Sequence, residues 1–283
     1  MSRPIIEVRE FSYIYPNSTE FALKNVSFTI EKGDFVGIIG SNKAGKSTLC
    51  KALVGVIPNF IGGKWSGDVL VDGEPITGVE NHSAADKIGI VFQDAESQFT
   101  QETVEDEVAF AMCNHGFSKE LMLQRVEEAT KACGLFDLLD RSPFRLSGGQ
   151  QQRLAIACVL ALRPEVIILD ESTSQLDPIG RSEVFSVVKE LHRRGTTIIM
   201  VEHNIEKIAE YADKVMVLSH GELVEYGPAK EVFNKREKLA GHKVRVPQVT
   251  EAALALRHKL DFTAAPITLP EAKQLCTPLR RPR

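Results

Sequence analysis

Short runs of consecutive apolar residues alternate with helical patterns through most of the chain. Phe35-Val36-Gly37-Ile38-Ile39 runs into a glycine-rich stretch, after which Ser47–Val54 has helical composition. Val166-Ile167-Ile168-Leu169 and the run TTIIMV at 196–201 each follow a helical pattern. Apolar residues on successive positions leave no solvent face, so these runs predict buried parallel strands covered by helices. The N-terminal part reads differently. IIEVREFSYIYP (5–16), ALKNVSFTIEKGD (22–34) and GDVLVDGEPI (67–76) predict antiparallel strands joined by polar turns. In SKELMLQRVEEATKACG, Met122, Val126, Ala129 and Cys133 recur at helical spacing between a serine start and a glycine stop. That is a capped amphipathic helix. Beyond Gly227-Pro228 the pattern changes to helical pieces broken by prolines: PAKEVFNKREKLAG, VPQVTEAALALRHKL and ITLPEAKQL. The chain thus divides into an α/β domain over 1–230, with a mostly helical insert at about 94–162, and a small C-terminal helical domain over 231–283. The closing LRRPR is expected to fray.

Composition narrows the function classes. Of 283 residues, 43% are hydrophobic and 25% charged, which is ordinary for a globular protein. The net charge of −4, from 34 basic and 38 acidic residues, gives no electrostatic case for nucleic acid as a partner. Five scattered cysteines without a C-x-x-C pair read as buried small apolar residues in a reducing cytosol, not as a disulfide or zinc framework. The longest apolar runs are strand-length, well under the ~20 residues that span a bilayer. MSRPIIEVRE has no apolar signal core. A cytosolic protein is expected, with docking on a membrane partner left open.

The glycine-rich stretch is GSNKAGKST, Gly40 to Thr48, and it satisfies G-x-x-x-x-G-K-[ST]. Strand before and helix after supply the context that a phosphate loop needs. Successive backbone N–H groups of Gly40, Ser41, Asn42, Lys43, Ala44 and Gly45 cradle an anion at a helix N-terminus, and Lys46 reaches the β and γ phosphates. The Ser47 hydroxyl ligates Mg²⁺. VIILDE adds the acids at a strand's carboxyl end: Asp170 to hold the metal and Glu171 to polarise an attacking water. In LSGGQQQRLAIA, Ser147 and two glycines precede a helix expected to begin near Gln150, which offers a second anion-binding helix start.

With LSGGQ in place, the chain resembles an ATP-binding cassette (ABC) ATPase over nearly all of residues 5–230, in that family's motif order. The resemblance implies a phosphate-loop NTPase fold: a mixed central sheet, an antiparallel β subdomain and a helical insert. It also implies ATP and Mg²⁺ as ligands. By that resemblance Tyr15 stacks on adenine, with Tyr13 as the substitute. Gln93 senses the γ-phosphate and metal and couples to a transmembrane partner. Ser174, Gln175, Leu176 and Asp177 form the loop that crosses between two cassettes, and His203 contacts the γ-phosphate. The signature Leu146, Ser147, Gly148, Gly149 and Gln150 of one cassette closes over the ATP of a second ATPase subunit. VFQDAESQFTQETVEDEVAFAMCNHG and the C-terminal helical stretch are similar to energy-coupling factor (ECF) transporter ATPases, which include the cobalt-importer cassettes. That implies a dimerising C-terminal domain, a transmembrane scaffold, a separate substrate-binding membrane protein, and a place on the cytoplasmic face of the membrane.

Lys43 departs from the family pattern, which has glycine there. If the backbone at that point requires positive φ, a lysine costs roughly 1 kcal/mol. It points to solvent, adds a cation near the phosphates or the opposing signature, or weakens the site so that a partner site carries turnover. Other cassette ATPases serve translation and DNA repair, but those carry fused cassettes or long insertions that this chain lacks. A non-catalytic partner subunit is the remaining alternative, and Glu171 and His203 argue against it.

Overall fold

The computed structural model describes residues 3–79, 87–258 and 262–276. The LRRPR tail expected to fray lies outside the described residues, as do the last positions of the VPQVTEAALALRHKL helix pattern. Strands β1 (Ile6–Ile14), β2 (Leu23–Ile30), β4 (Lys64–Val71) and β5 (Glu74–Pro75) form an antiparallel sheet in the order β2-β1-β4-β5. Its alternating apolar positions, such as Ile6, Val8, Phe11 and Tyr13, turn toward the second sheet and are fully covered.

The second sheet holds β3 (Phe35–Gly40), β6 (Ile88–Val91), β7 (Val166–Asp170), β8 (Thr197–Val201), β9 (Lys214–Ser219) and β10 (Glu222–Pro228). Their order is β10-β9-β3-β8-β7-β6, parallel except at the β9–β10 hairpin. The buried strands expected from the sequence are all here. β6, β9 and β10 are additions that the hydrophobic pattern did not single out. Successive apolar residues are buried on opposite faces: Ile168, Ile199 and Met216 pack toward the antiparallel sheet, while Ile167, Leu169, Ile198 and Met200 pack toward the helices of the insert. Register sets the functional edge. Ile38 lies beside Val201 and Met216, Gly40 beside Leu218, and Asp170 beside Val201, so the carboxyl ends of β3, β7 and β8 coincide.

Helix α1 (Lys46–Leu53) follows β3 directly. The insert carries α2 (Val104–Asn114), α3 (Lys119–Ala132) and α4 (Gly148–Ala161). In α3 the Ser118 hydroxyl accepts the Leu121 N–H at 3.3 Å, and Gly134 at φ 65 ends it by donating to the Lys131 carbonyl at 3.2 Å. Helix α4 starts at Gly148, not near Gln150, because the Ser147–Gln150 capping box closes around both glycines. Helices α5 (Pro178–Arg193) and α6 (Ile205–Tyr211) complete the cassette.

Past Pro228 come α7 (Ala229–Asn234), α8 (Arg236–Gly241), α9 (Gln248–Ala255) and α10 (Leu269–Cys276). Val232, Phe233, Leu239, Val244, Val246 and Ile267 share one buried cluster with Ile39, Ile208, Val215 and Val217. The boundary at residue 230 therefore does not coincide with a break in packing: the next segments complete the core behind β3 and β9. The cysteines also divide differently from the all-buried expectation. Cys50 and Cys133 are buried, but Cys113 and Cys276 are exposed.

Candidate functional site

The loop from β3 to α1 is shaped by its neighbours. A Cβ on Gly40 would lie 2.3 Å from the Leu218 carbonyl oxygen, and one on Gly45 2.7 Å from that of Ala22. Both positions admit only glycine without backbone movement. Gly45 at φ 102 precedes α1 and offers no side-chain cap, so the first N–H groups of that helix remain available to a ligand. Lys43 adopts φ 63, the left-handed conformation that its family pattern fills with glycine, and its side chain is exposed. Lys46 is buried, and its ammonium donates to the carbonyls of Gly40 (3.2 Å) and Ser41 (3.3 Å). Lys43, Gly45 and Lys46, with Asn42, Ala44, Ser47 and Thr48, line a cavity of about 590 Å³.

The strand-end acids meet the loop across that cavity. Ser47 Oγ donates to Asp170 Oδ1 at 3.1 Å. Burial pushes the Asp170 carboxyl above its ordinary range, and the neighbouring Glu171 charge adds to the effect, while the Ser47 donor and Lys46 oppose it. Glu171 sits at φ 52, and this turn carries Oε1 to 3.0 Å from His203 Nε2 and 3.5 Å from Lys46 Nζ. Gln93 Nε2 donates to Ser174 Oγ at 3.3 Å on the same rim.

The loop after Glu171 faces two cavities. Ser174 lines the one around the phosphate loop, while Gln175, Leu176 and Asp177 line another of about 330 Å³ with Ser147 and Gly148. No signature residue from 146 to 150 lines the phosphate-loop cavity. Leu146 is buried among the insert helices, and Asp177 caps α5 by accepting the Gly180 N–H at 2.7 Å. Gly149 is held for packing as well, since a Cβ there would lie 3.0 Å from Gly180 Cα.

Between the two candidate aromatics the geometry discriminates. Tyr13 is fully buried and donates to the Gly62 carbonyl at 2.5 Å, so its ring face is not available. Tyr15 is half-buried, stands edge-on to Tyr13 at 4.9 Å, and its hydroxyl lies 3.3 Å from Thr48 Oγ1. Sequence reasoning passed over Glu202 and Thr173. The buried Glu202 carboxylate accepts from the Thr173 hydroxyl and from the N–H groups of His203 (2.8 Å) and Asn204 (3.0 Å), fixing the backbone that carries His203. An acid directly before His203 at a strand end was the available signal.

A phosphate loop, an acid pair and a histidine at the carboxyl ends of parallel strands define a nucleotide-binding cassette. The family model described as ABC transporter matches residues 23–174. A putative ABC transporter ATP-binding protein from Pyrococcus abyssi is 43% identical over 259 residues, 90% of this chain and 91% of that one. The energy-coupling factor transporter ATP-binding protein EcfA of Enterococcus faecium is 42% identical over 258 residues, 90% of both chains. Among solved structures, cbiO1 from Clostridium perfringens, part of the ABC transporter complex cbiONQ, superposes with a TM-score of 0.74 at 34% identity. That match covers 91% of this chain and 97% of cbiO1. The chain belongs to the ATP-binding family of ABC transporters, in its energy-coupling factor group.

Proposed function

We propose that this chain is the ATP-hydrolysing subunit of an energy-coupling factor importer, in which ATP binding and cleavage drive uptake of a vitamin or transition-metal ion through a membrane complex. The observation that carries the reading is Glu171. Its carboxylate stands between His203 (3.0 Å) and Lys46 (3.5 Å) in the lining of the phosphate-loop cavity, where a general base for water attack on a γ-phosphate belongs.

The residues fit a Mg²⁺–nucleotide complex. Ser47, Asp170 and Gln93 offer hard oxygen donors, and the buried Asp170 carboxylate gains from a cation beside it. Among the described residues no cluster of three or more His, Cys, Asp and Glu forms a metal cage, so nucleotide phosphates complete the donor set. Bound there, Mg²⁺ would neutralise charge on the nucleotide phosphates. The uncapped start of α1 and Lys46 bind those phosphates, and Tyr15 stacks on the adenine. Glu171 orients the water and accepts its proton. His203 holds the Glu171 carboxylate in place. Glu202, through its hydrogen bonds, holds His203.

Because the signature lines a separate cavity, Ser147, Gly148 and Gly149 act on the ATP of a second cassette subunit. No helix among the described residues is long and apolar enough to cross a membrane. The likeness to energy-coupling factor ATPases supports a transmembrane scaffold and a substrate-binding membrane protein that supply the pathway, with this chain peripheral on the cytoplasmic face. Purifying the assembled complex and identifying every chain tests the assignment. Membrane partners and a second cassette are expected, whereas recovery of ribosomes or DNA-repair proteins would refute it. In the same preparation Lys46→Ala or Glu171→Gln is expected to nearly abolish steady-state ATPase.

A further inference from the structure

Behind the phosphate loop lies another cavity, of about 220 Å³. Asn42 and His203 line both this cavity and the one around the phosphate loop, so these two residues lie between them. The Ser41 side of the loop faces the rear space, and the opposite side is closed by the segment from Lys243 to Arg245.

That segment is built to present two cations. Helix α8 ends with Lys243 donating to the Ala240 carbonyl and Val244 to that of Leu239, both at 3.0 Å, the paired bonds that usually end on a glycine. Lys243 takes the glycine position at φ 59. Val244 and Val246 are buried in the cluster that contains Ile39, immediately before Gly40. Alternation leaves Lys243 and Arg245 exposed. Among the described residues neither side chain makes a hydrogen bond or ion pair. Glu202 also lines the cavity, but its carboxylate is engaged by Thr173, His203 and Asn204. The lining therefore carries two unpaired cations against one satisfied anion.

We propose that this rear cavity is a transient binding site for inorganic phosphate, through which the phosphate cleaved from ATP leaves while ADP still fills the front. The proposal rests on the hydrolytic reading of the site. No bond changes in the step: the anhydride bond has already broken, the water oxygen is already on phosphorus, and the anion passes Asn42 and His203. Arg245 offers a planar fork of donors to the phosphate oxygens and Lys243 a point charge.

The test uses the assembled transporter complex, with ADP formation followed by quenched flow and phosphate release by a fluorescent phosphate-binding sensor. In the double variant Lys243→Gly, Arg245→Ala the ratio of release rate to cleavage rate is expected to fall about fivefold, equivalent to ~1 kcal/mol. Inhibition by added inorganic phosphate is expected to weaken in parallel. Glycine at 243 accepts the observed φ, and Arg245→Lys is expected to restore most of the ratio. An unchanged ratio together with unchanged phosphate inhibition overturns the proposal. So does a weakened complex whose remaining assembled fraction keeps the ratio, which would assign the cations to a neighbouring protein's carboxylates. Titration of the unmodified, ADP-bound complex with inorganic phosphate, read by phosphorus-31 line broadening, needs no variant. Absence of saturable broadening also overturns the proposal. If the unmodified complex cleaves no ATP, it is the hydrolytic reading that fails.

Discussion

Lys43 and Asp170 show how single residues in the site carry a cost in the free protein. Lys43 is an exposed lysine at φ 63, and a side chain in that conformation costs about 1 kcal/mol, roughly a fivefold factor in an equilibrium. Lys43→Gly is therefore expected to change steady-state ATPase of the complex by less than about tenfold. A larger gain would mean that the lysine suppresses turnover. Asp170 works through its charge. Its folded-state pKa is raised above the ordinary 3.8, chiefly by burial. In the pH window just above 3.8 the folded chain thus holds more protons than the unfolded one, so this residue withdraws stability as pH rises through that window. Above the folded-state pKa the loss is complete. Asp170→Asn is expected to raise the unfolding midpoint of the metal-free protein at pH 7, with the gain shrinking toward pH 4. Mg²⁺-dependent nucleotide binding is expected to weaken, as fluorescence titration with a labelled nucleotide would show.

At the scale of elements, the starts of α4 and α5 pack glycine against glycine. A Cβ on Gly149 meets Gly180 Cα at 3.0 Å, and one on Gly180 meets Gly149 Cα at 3.3 Å. Both contacts are with backbone and cannot be relieved by a rotamer change. Gly149→Ala is expected to destabilise the isolated chain by about 1–3 kcal/mol, measured by denaturant unfolding, apart from any effect on catalysis. An unchanged midpoint would leave Gly149 with its signature role alone. The same region shows what the sequence revealed. β3, β7 and β8 were legible because strands buried on both faces write unbroken apolar runs. The phosphate loop and the acid pair followed from residue chemistry at strand ends. β10 was not legible, since ELVEYGP is partly exposed and mixes charges with glycine and proline. The buried role of Glu202 was hidden as well, because its acceptors are claimed by Thr173 far back in the chain and by backbone N–H groups. For Glu202 the local pattern offered only an acid before His203 at a strand end, and that does not encode which groups it accepts from.

For the whole molecule, the decisive feature is the cluster that joins the C-terminal helices to β3 and β9. Phe233 is fully buried there with Ile39, Val215 and Val217. Phe233→Ala is expected to cost about 3–5 kcal/mol and to move a single cooperative unfolding transition. Two separable transitions in calorimetry would instead mean that the C-terminal segments fold as an independent unit. Ser174 and Asp177 have a consequence of another kind. Three residues apart, they wall the phosphate-loop cavity and the signature cavity respectively, on one short stretch of backbone. Occupants of the two cavities that shift this stretch are thermodynamically reciprocal: the factor by which the first alters the affinity of the second equals the factor by which the second alters the first.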